Sequence, residues 1–192
     1  IVDAVTVRAI GRAVNDLEAT TIWPDHIPPE TEDLYFLFEK QLDLKIGPER
    51  AAFLHTARSR NDMDNTIFRL CLKKKLLGTA REFLTTLREI TFRAQEVSDD
   101  LTILFTHGQP ANVSTMGHYL TAFAGDFAQN LLAVLESINV VDQSTMGACA
   151  ITGTGFPLDR ERVSELLGFS GIVANTYRAI SSTQWLTRPA AA

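Results

Sequence analysis

A chain of 192 residues with 45% apolar and 21% charged side chains is long enough to bury one large core, or one large and one small. Its net charge of -5 excludes a general nucleic-acid binder, which needs a basic face for phosphates, so an anionic ligand must be drawn by local cations. Cys71 and Cys149 are too few for a disulfide framework, no Cys/His cluster has metal-ligand spacing, and no run is apolar enough to span a membrane, which points to the cytoplasm.

In residues 2–20, Val5, Ile10, Val14 and Leu17 fall near one face at helical spacing, with Arg8, Arg12, Asp16 and Glu18 left for solvent. Pro24, Pro28 and Pro29 then enforce an irregular connector. Thr31 and Glu32 are expected to open a second helix through about Lys45, closed by Gly47 and Pro48.

The stretch that follows, His55-Thr56-Ala57-Arg58-Ser59-Arg60-Asn61-Asp62, is dense in polar and basic groups. Guanidinium forks pair with both oxygens of a carboxylate, while hydroxyl and amide groups fix its orientation. The same residues also suit a solvated helix N-terminus capped by Ser59 or Asn61. Residues 61–98 contain no proline and one glycine, Gly78, and carry two apolar rows: Leu70, Leu77 and Leu84 beside Leu76, Phe83, Ile90 and Val97. One helix of about 55 Å is predicted, with a stripe wide enough for more than one neighbour. Lys73-Lys74-Lys75 reads as an anion patch or, more simply, a solvated face.

Asp99-Asp100 ends that helix, and a loop carrying Thr106 and His107 is expected to turn the chain. Residues 101–125 hold no Asp, Glu, Lys or Arg, yet include two histidines, Gln109, Pro110 and Asn112, a composition suited to a buried polar site. Met116, Leu120, Phe123, Phe127, Leu131, Val134 and Ile138 mark a second long, antiparallel helix over about 114–141. Gly153-Thr154-Gly155 lacks the third glycine, the preceding strand and the lysine of a phosphate cradle. Asp159 caps a short helix through Leu167, with Gly168 as its stop. Long antiparallel helices joined by short polar connections predict an all-α bundle.

His55 through Asp62 resembles the first signature segment of the argininosuccinate lyase family, within the fumarase/aspartase superfamily, where glycine is usual at Ala57. Thr106-His107-Gly108-Gln109-Pro110-Ala111-Asn112, continuing to Gly117-His118-Tyr119, resembles the second, and Gly147 through Arg162 resembles the family stretch after the next helix. The resemblance implies an N-terminal helical domain, residues 1–58, and the start of a central bundle domain, 59–192. It implies a fumarase/aspartase-type bundle truncated before the third signature loop, which carries the family's catalytic serine base. The bundle helices would associate into a homotetramer whose sites draw segments from different chains.

The family reaction removes a proton beside a carboxylate of a succinyl group, stabilises the resulting dianion and breaks the C–N bond to release fumarate, without a cofactor. By the match, Ser59, Arg60 and Asn61 would hold carboxylates of a small anionic substrate. Thr106 would hydrogen-bond one of them, and His107 would handle the proton of the leaving nitrogen. Gln109 and Asn112 join the substrate-binding set, and His55 and Arg58 are further candidates. Several positions depart from the family: Asp33-Leu34-Tyr35 stands for Asp-x-His, while Gly108, Pro110 and Asn112 replace Leu, Arg and Gln. Asn175-Thr176-Tyr177-Arg178-Ala179-Ile180-Ser181-Ser182-Thr183-Gln184 replaces Asn-Ser-x-Asp-Ala-Val-Ser-Asp-Arg-Asp. The succinyl-gripping half is therefore kept better than the amine-recognising half. The expected activity is argininosuccinate cleavage to arginine and fumarate, with a lyase for another N-succinyl amine or aminopolycarboxylate, or a non-catalytic crystallin-like member, as alternatives.

Overall fold

The computed structural model describes residues 2–20 and 26–192, and the chain divides into two compact units, residues 1–58 and 59–192. Pro24 of the expected proline connector lies outside the described residues.

In the first unit, α1 (Ala4–Thr20), α2 (Leu34–Ile46), α3 (Pro48–Ala51) and a 3-10 turn (Ala52–His55) gather around Ala13, Leu17, Leu42 and Ala51. The buried face of α1 is thus Thr6, Ala13 and Leu17, with Val14 packed beside the last two. Val5, expected on that face, is exposed because the buried row of α1 runs through the adjacent Thr6, seven residues before Ala13. Asp33 opens α2, its carboxylate accepting the Phe36 N–H at 3.0 Å, rather than Thr31 or Glu32. A carboxylate that can reach a free first-turn N–H outcompetes residues placed one or two positions too early. Gly47, at φ 83°, and Pro48 at the first position of α3 end α2 as expected.

The second unit is built on α4 (Arg60–Glu96) and α5 (Met116–Val141). Contacts run in reverse order along the two helices: Thr66 meets Thr145, Arg69 meets Val140, Phe83 meets Phe127, and Gly117 sits against Ala94 and Ser98. They are therefore antiparallel. Leu76, Ala80, Val134, Ile138 and Val141 form the core between them, with Leu72 and Leu131 packed alongside. Each large side chain buried there contributes about 1.5–3 kcal/mol. Only one of the two apolar rows of α4 is used inside this unit. Leu76 is buried, whereas Leu77 and Leu84 remain exposed together with Ile67, Phe68 and Phe92.

Where a loop was expected after α4, the chain forms a β-hairpin, β1 (Leu101–Thr106) and β2 (Gln109–Thr115). His107 and Gly108 are its two turn residues, with φ 50° and 74°. Two successive positive φ angles define the primed turn whose twist matches the strands. The hairpin is also exposed rather than buried: Leu101, Ile103, Phe105 and Val113 are all largely open to solvent. The uncharged composition of residues 101–125 thus does not enclose a polar site within this chain. Thr115 caps α5 by accepting the His118 N–H at 3.1 Å.

The hairpin is fixed at the C-terminal end of α4, where the Met116 N–H donates to Asp100 O at 2.8 Å and the Gly117 N–H to Val97 O at 3.0 Å. Gly117 permits this close crossing, since a Cβ there would stand 2.7 Å from both Ala94 O and Ser98 Cα. Both obstacles are backbone and cannot rotate away. Gly117→Ala is accordingly expected to destabilise the chain by about 1–3 kcal/mol, the usual cost of overpacking, as read by urea unfolding. A change below about 0.5 kcal/mol would show that the crossing relaxes freely.

Beyond α5 the chain runs back over the same end of the bundle through α6 (Arg160–Leu166), α7 (Thr176–Ser181) and α8 (Gln184–Ala191). Asp159 caps α6 by accepting the Arg162 N–H at 2.8 Å. The Arg160 guanidinium donates to three carbonyls, Met146 O, Val173 O and Ala174 O, at 2.9–3.2 Å, tying the 146 and 173 segments together. Lys73 donates to Asp142 Oδ1 at 2.6 Å and Gly168 O at 2.7 Å, so it is a structural tie, while Lys74 and Lys75 are exposed.

Candidate active site

Ser59 stands at the N-cap of α4 with extended backbone, and its Oγ accepts the Asn61 N–H at 3.3 Å. Asp62 completes a capping box by accepting the Ser59 N–H at 2.9 Å. Capping uses lone pairs of Ser59 Oγ, which leaves its O–H able to donate to a carboxylate. Arg60 and Asn61 follow on the first turn, where the positive end of a 37-residue helix adds attraction for an anion. Ala57, at φ 59°, explains the glycine usual at this position in the resembling family, since a left-handed residue is held more cheaply by glycine.

Asp62 is the residue that sequence reasoning did not single out. It is fully buried, and its second oxygen, Oδ2, accepts the Gly147 and Cys149 N–H groups, each at 2.9 Å. The Asp62 carbonyl meanwhile accepts from the hydroxyls of Thr66 and Thr145. One carboxylate thereby fixes the entrance of α4 to the Gly147–Cys149 segment. Its presence in a sequence that reads Ser-x-x-Asp before a helix signalled a cap, but nothing local signalled partners 85 and 87 residues away. Burial, followed by the Asp62 charge, holds the Cys149 thiol above its ordinary pKa, so it is a poor nucleophile at neutral pH.

Thr106, His107, Gln109 and Asn112 lie on the exposed hairpin, Thr106 paired with Gln109 across the turn and Asn112 with Leu104. They are not close to Ser59–Asn61. The helix between them is about 55 Å long, and β1 can carry its tip back by at most ~20 Å, so more than ~30 Å separates the two groups. The structure therefore brings the first and third matched stretches together through Asp62 and holds the second apart. His118 Nδ1 is bonded to Ser114 Oγ at 2.8 Å near the hairpin base.

In the first unit, His55 Nδ1 is 2.8 Å from Glu39 Oε1, with the Tyr35 ring set edgewise at 5.5 Å. Burial and then Glu39 raise the Tyr35 pKa, while Arg58 counteracts them. His55 is thus engaged with an acid and a phenol of its own unit. Among the described residues no His, Cys, Asp and Glu group could hold a metal ion, and no helix is long and apolar enough to cross a membrane.

A bundle of long antiparallel helices with Ser-Arg-Asn at one helix entrance and Thr-His on a distant hairpin has the architecture of the fumarase/aspartase superfamily of lyases. The lyase family model matches residues 7–192. Argininosuccinate lyase 2 of Agrobacterium fabrum is 41% identical over 97% of this chain and 37% of its own length. The argininosuccinate lyase of Methanosphaera stadtmanae is 35% identical over 91% of this chain and 37% of its own. Among solved structures, an EDDS lyase in complex with formate superposes with a TM-score of 0.84 at 30% identity, over 96% of this chain and 35% of that one. A fumarate lyase:delta crystallin from Brucella melitensis, at 17% identity and a TM-score of 0.75, covers 99% of this chain and 46% of that one and shares the fold. The chain belongs to the lyase family and resembles argininosuccinate lyase, and it spans a little over a third of the length of these curated relatives.

Proposed function

We propose that this chain supplies the carboxylate-gripping and proton-handling segments of a carbon–nitrogen lyase that eliminates fumarate from an N-substituted aspartate, argininosuccinate being the substrate. The observation that carries this reading is the entrance of α4, where Ser59, Arg60 and Asn61 sit on a first turn locked by the buried Asp62. The similarity to argininosuccinate lyases extends across nearly all of the chain.

In this reading Arg60 and Asn61 orient the succinyl carboxylates, with Ser59 donating a hydroxyl. These donors stabilise the charge that grows on a carboxylate as the carbon-bound proton passes to the serine base that the family carries on its third signature loop. Thr106 adds a hydrogen bond, and His107 returns a proton to the departing nitrogen. Gln109 and Asn112 border the amine half, His55 and Arg58 are further candidates, and no cofactor is required. More than ~30 Å between the two groups means that a complete site takes them from different copies of the chain. Exposed apolar residues on both long helices, including Phe68, Leu77, Phe92, Tyr119 and Leu132, suit such an assembly, a tetramer in the cytoplasm.

A second reading is supported by the EDDS lyase similarity and by the departures at Gly108, Pro110, Asn112 and Arg178: a lyase for another N-substituted aspartate, such as an aminopolycarboxylate. Following fumarate release by the assembled protein with argininosuccinate and with a panel of other N-substituted aspartates tests both. Highest kcat/KM on argininosuccinate supports the first reading and highest kcat/KM elsewhere the second. Absence of fumarate from every substrate would contradict both.

A further inference from the structure

Among the described residues, Arg69 is a buried cation without an anion. It is only 3% exposed. Its Nη1 donates to Val140 O at 2.9 Å, and its guanidinium carbon lies 5.0 Å from the centre of the Trp185 ring. Its Nε is buried and makes no hydrogen bond. Buried N–H donors are nearly always satisfied, and a buried charge is costly unless paired. Arg69 also lines a small cavity of ≈ 10 Å³, together with Gln143, Arg178, Ser182, Gln184 and Trp185. Instead of a carboxylate, the cavity offers a second guanidinium. Burial, followed by the like charge of Arg178, lowers the Arg69 pKa to about 10.

We infer that this crevice is a carboxylate-binding site, in which one oxygen enters the cavity to accept the Arg69 Nε–H while the other faces Arg178. A cavity of this size holds one water-sized group, which matches a single carboxylate oxygen. The side chains of Gln143, Ser182 and Gln184 supply further donors around it. The sequence departure noted over residues 175–184 falls on the same spot: Arg178, Ser182 and Gln184 stand where the family pattern has Asp. All three acids of that pattern are absent here, and its arginine is exchanged for one at 178, beside Arg69. The carboxylate is either a free small anion or an acidic side chain of a second copy.

Thermal unfolding of the 192-residue chain, with sodium acetate substituted for sodium fluoride at constant ionic strength, tests the site. A free carboxylate ligand predicts a saturable rise in Tm of about 3 °C for the wild type. Arg178→Asp returns the missing acid, so it should start from a higher Tm and lose the acetate response. Arg69→Met should lose the response as well. If the carboxylate is a second copy's side chain, acetate and Arg178→Asp should each weaken self-association in sedimentation equilibrium instead. A response that persists unchanged in both variants, or no acetate effect on either stability or association, overturns the inference.

Discussion

Replacing Asp62 by alanine is expected to cost about 4 kcal/mol or more of stability, among the largest effects of any single substitution in this chain. Three backbone N–H groups, those of Ser59, Gly147 and Cys149, donate to this one buried carboxylate. Each bond to a charged acceptor contributes about 1.5–3 kcal/mol, and its loss leaves a donor without a partner. Gly147 adds to the cost, because at φ 79° and packed against Arg160 and Leu158 it has no room to refold around a void. Asp62→Asn should fall between wild type and alanine, since its single amide oxygen cannot serve both the Ser59 side and the Gly147 and Cys149 side. Urea unfolding followed by circular dichroism reads the difference. A loss below about 1 kcal/mol for the alanine variant would mean that the α4 entrance and the Gly147–Cys149 segment are held by something else.

If His107 is the general acid proposed above, His107→Asn is expected to lower the kcat of the assembled protein by about two to four orders of magnitude, the contribution of one such group. Asparagine is the informative replacement because it tolerates the positive φ that His107 adopts, so the hairpin turn is kept. His107 is exposed at the tip, and its loss leaves no cavity. Folding should therefore be unchanged while turnover collapses. Steady-state kinetics with circular dichroism on the same sample separates the outcomes: full activity removes His107 from the chemistry, and an unfolded variant marks it as structural.

The helices were legible because their periodicity is a local property. The predicted span of 61–98 lies within two residues of α4 (Arg60–Glu96), and the Ser59 and Asp159 caps appear where their hydroxyl and carboxylate precede apolar runs. The hairpin was not legible. Its strands are short, its turn is His-Gly rather than a common hairpin pair, and its apolar residues face solvent, so the usual alternation of buried and exposed positions carries little information. Burial was equally hard to read where it depends on distant partners. Val5 and Leu77 have the right spacing for a core yet are exposed, and Asp62 has the wrong polarity for a core yet is fully buried. Of the candidate site, residue identities followed from motifs, but the separation of Ser59–Asn61 from Thr106 and His107 follows only from the length of the uninterrupted helix between them.

That separation makes the central claim testable by mixing inactive variants. If each site takes Arg60 from one copy and His107 from another, Arg60→Ala and His107→Asn assemblies should each be inactive. Hybrids formed by co-expression should recover activity at about a quarter of their sites, because each segment is intact in half of the chains. Fumarate release by hybrids, with mixed composition verified by mass spectrometry, is the measurement. Recovery toward that fraction is the predicted result, and verified hybrids as inactive as their parents would contradict a site shared between copies.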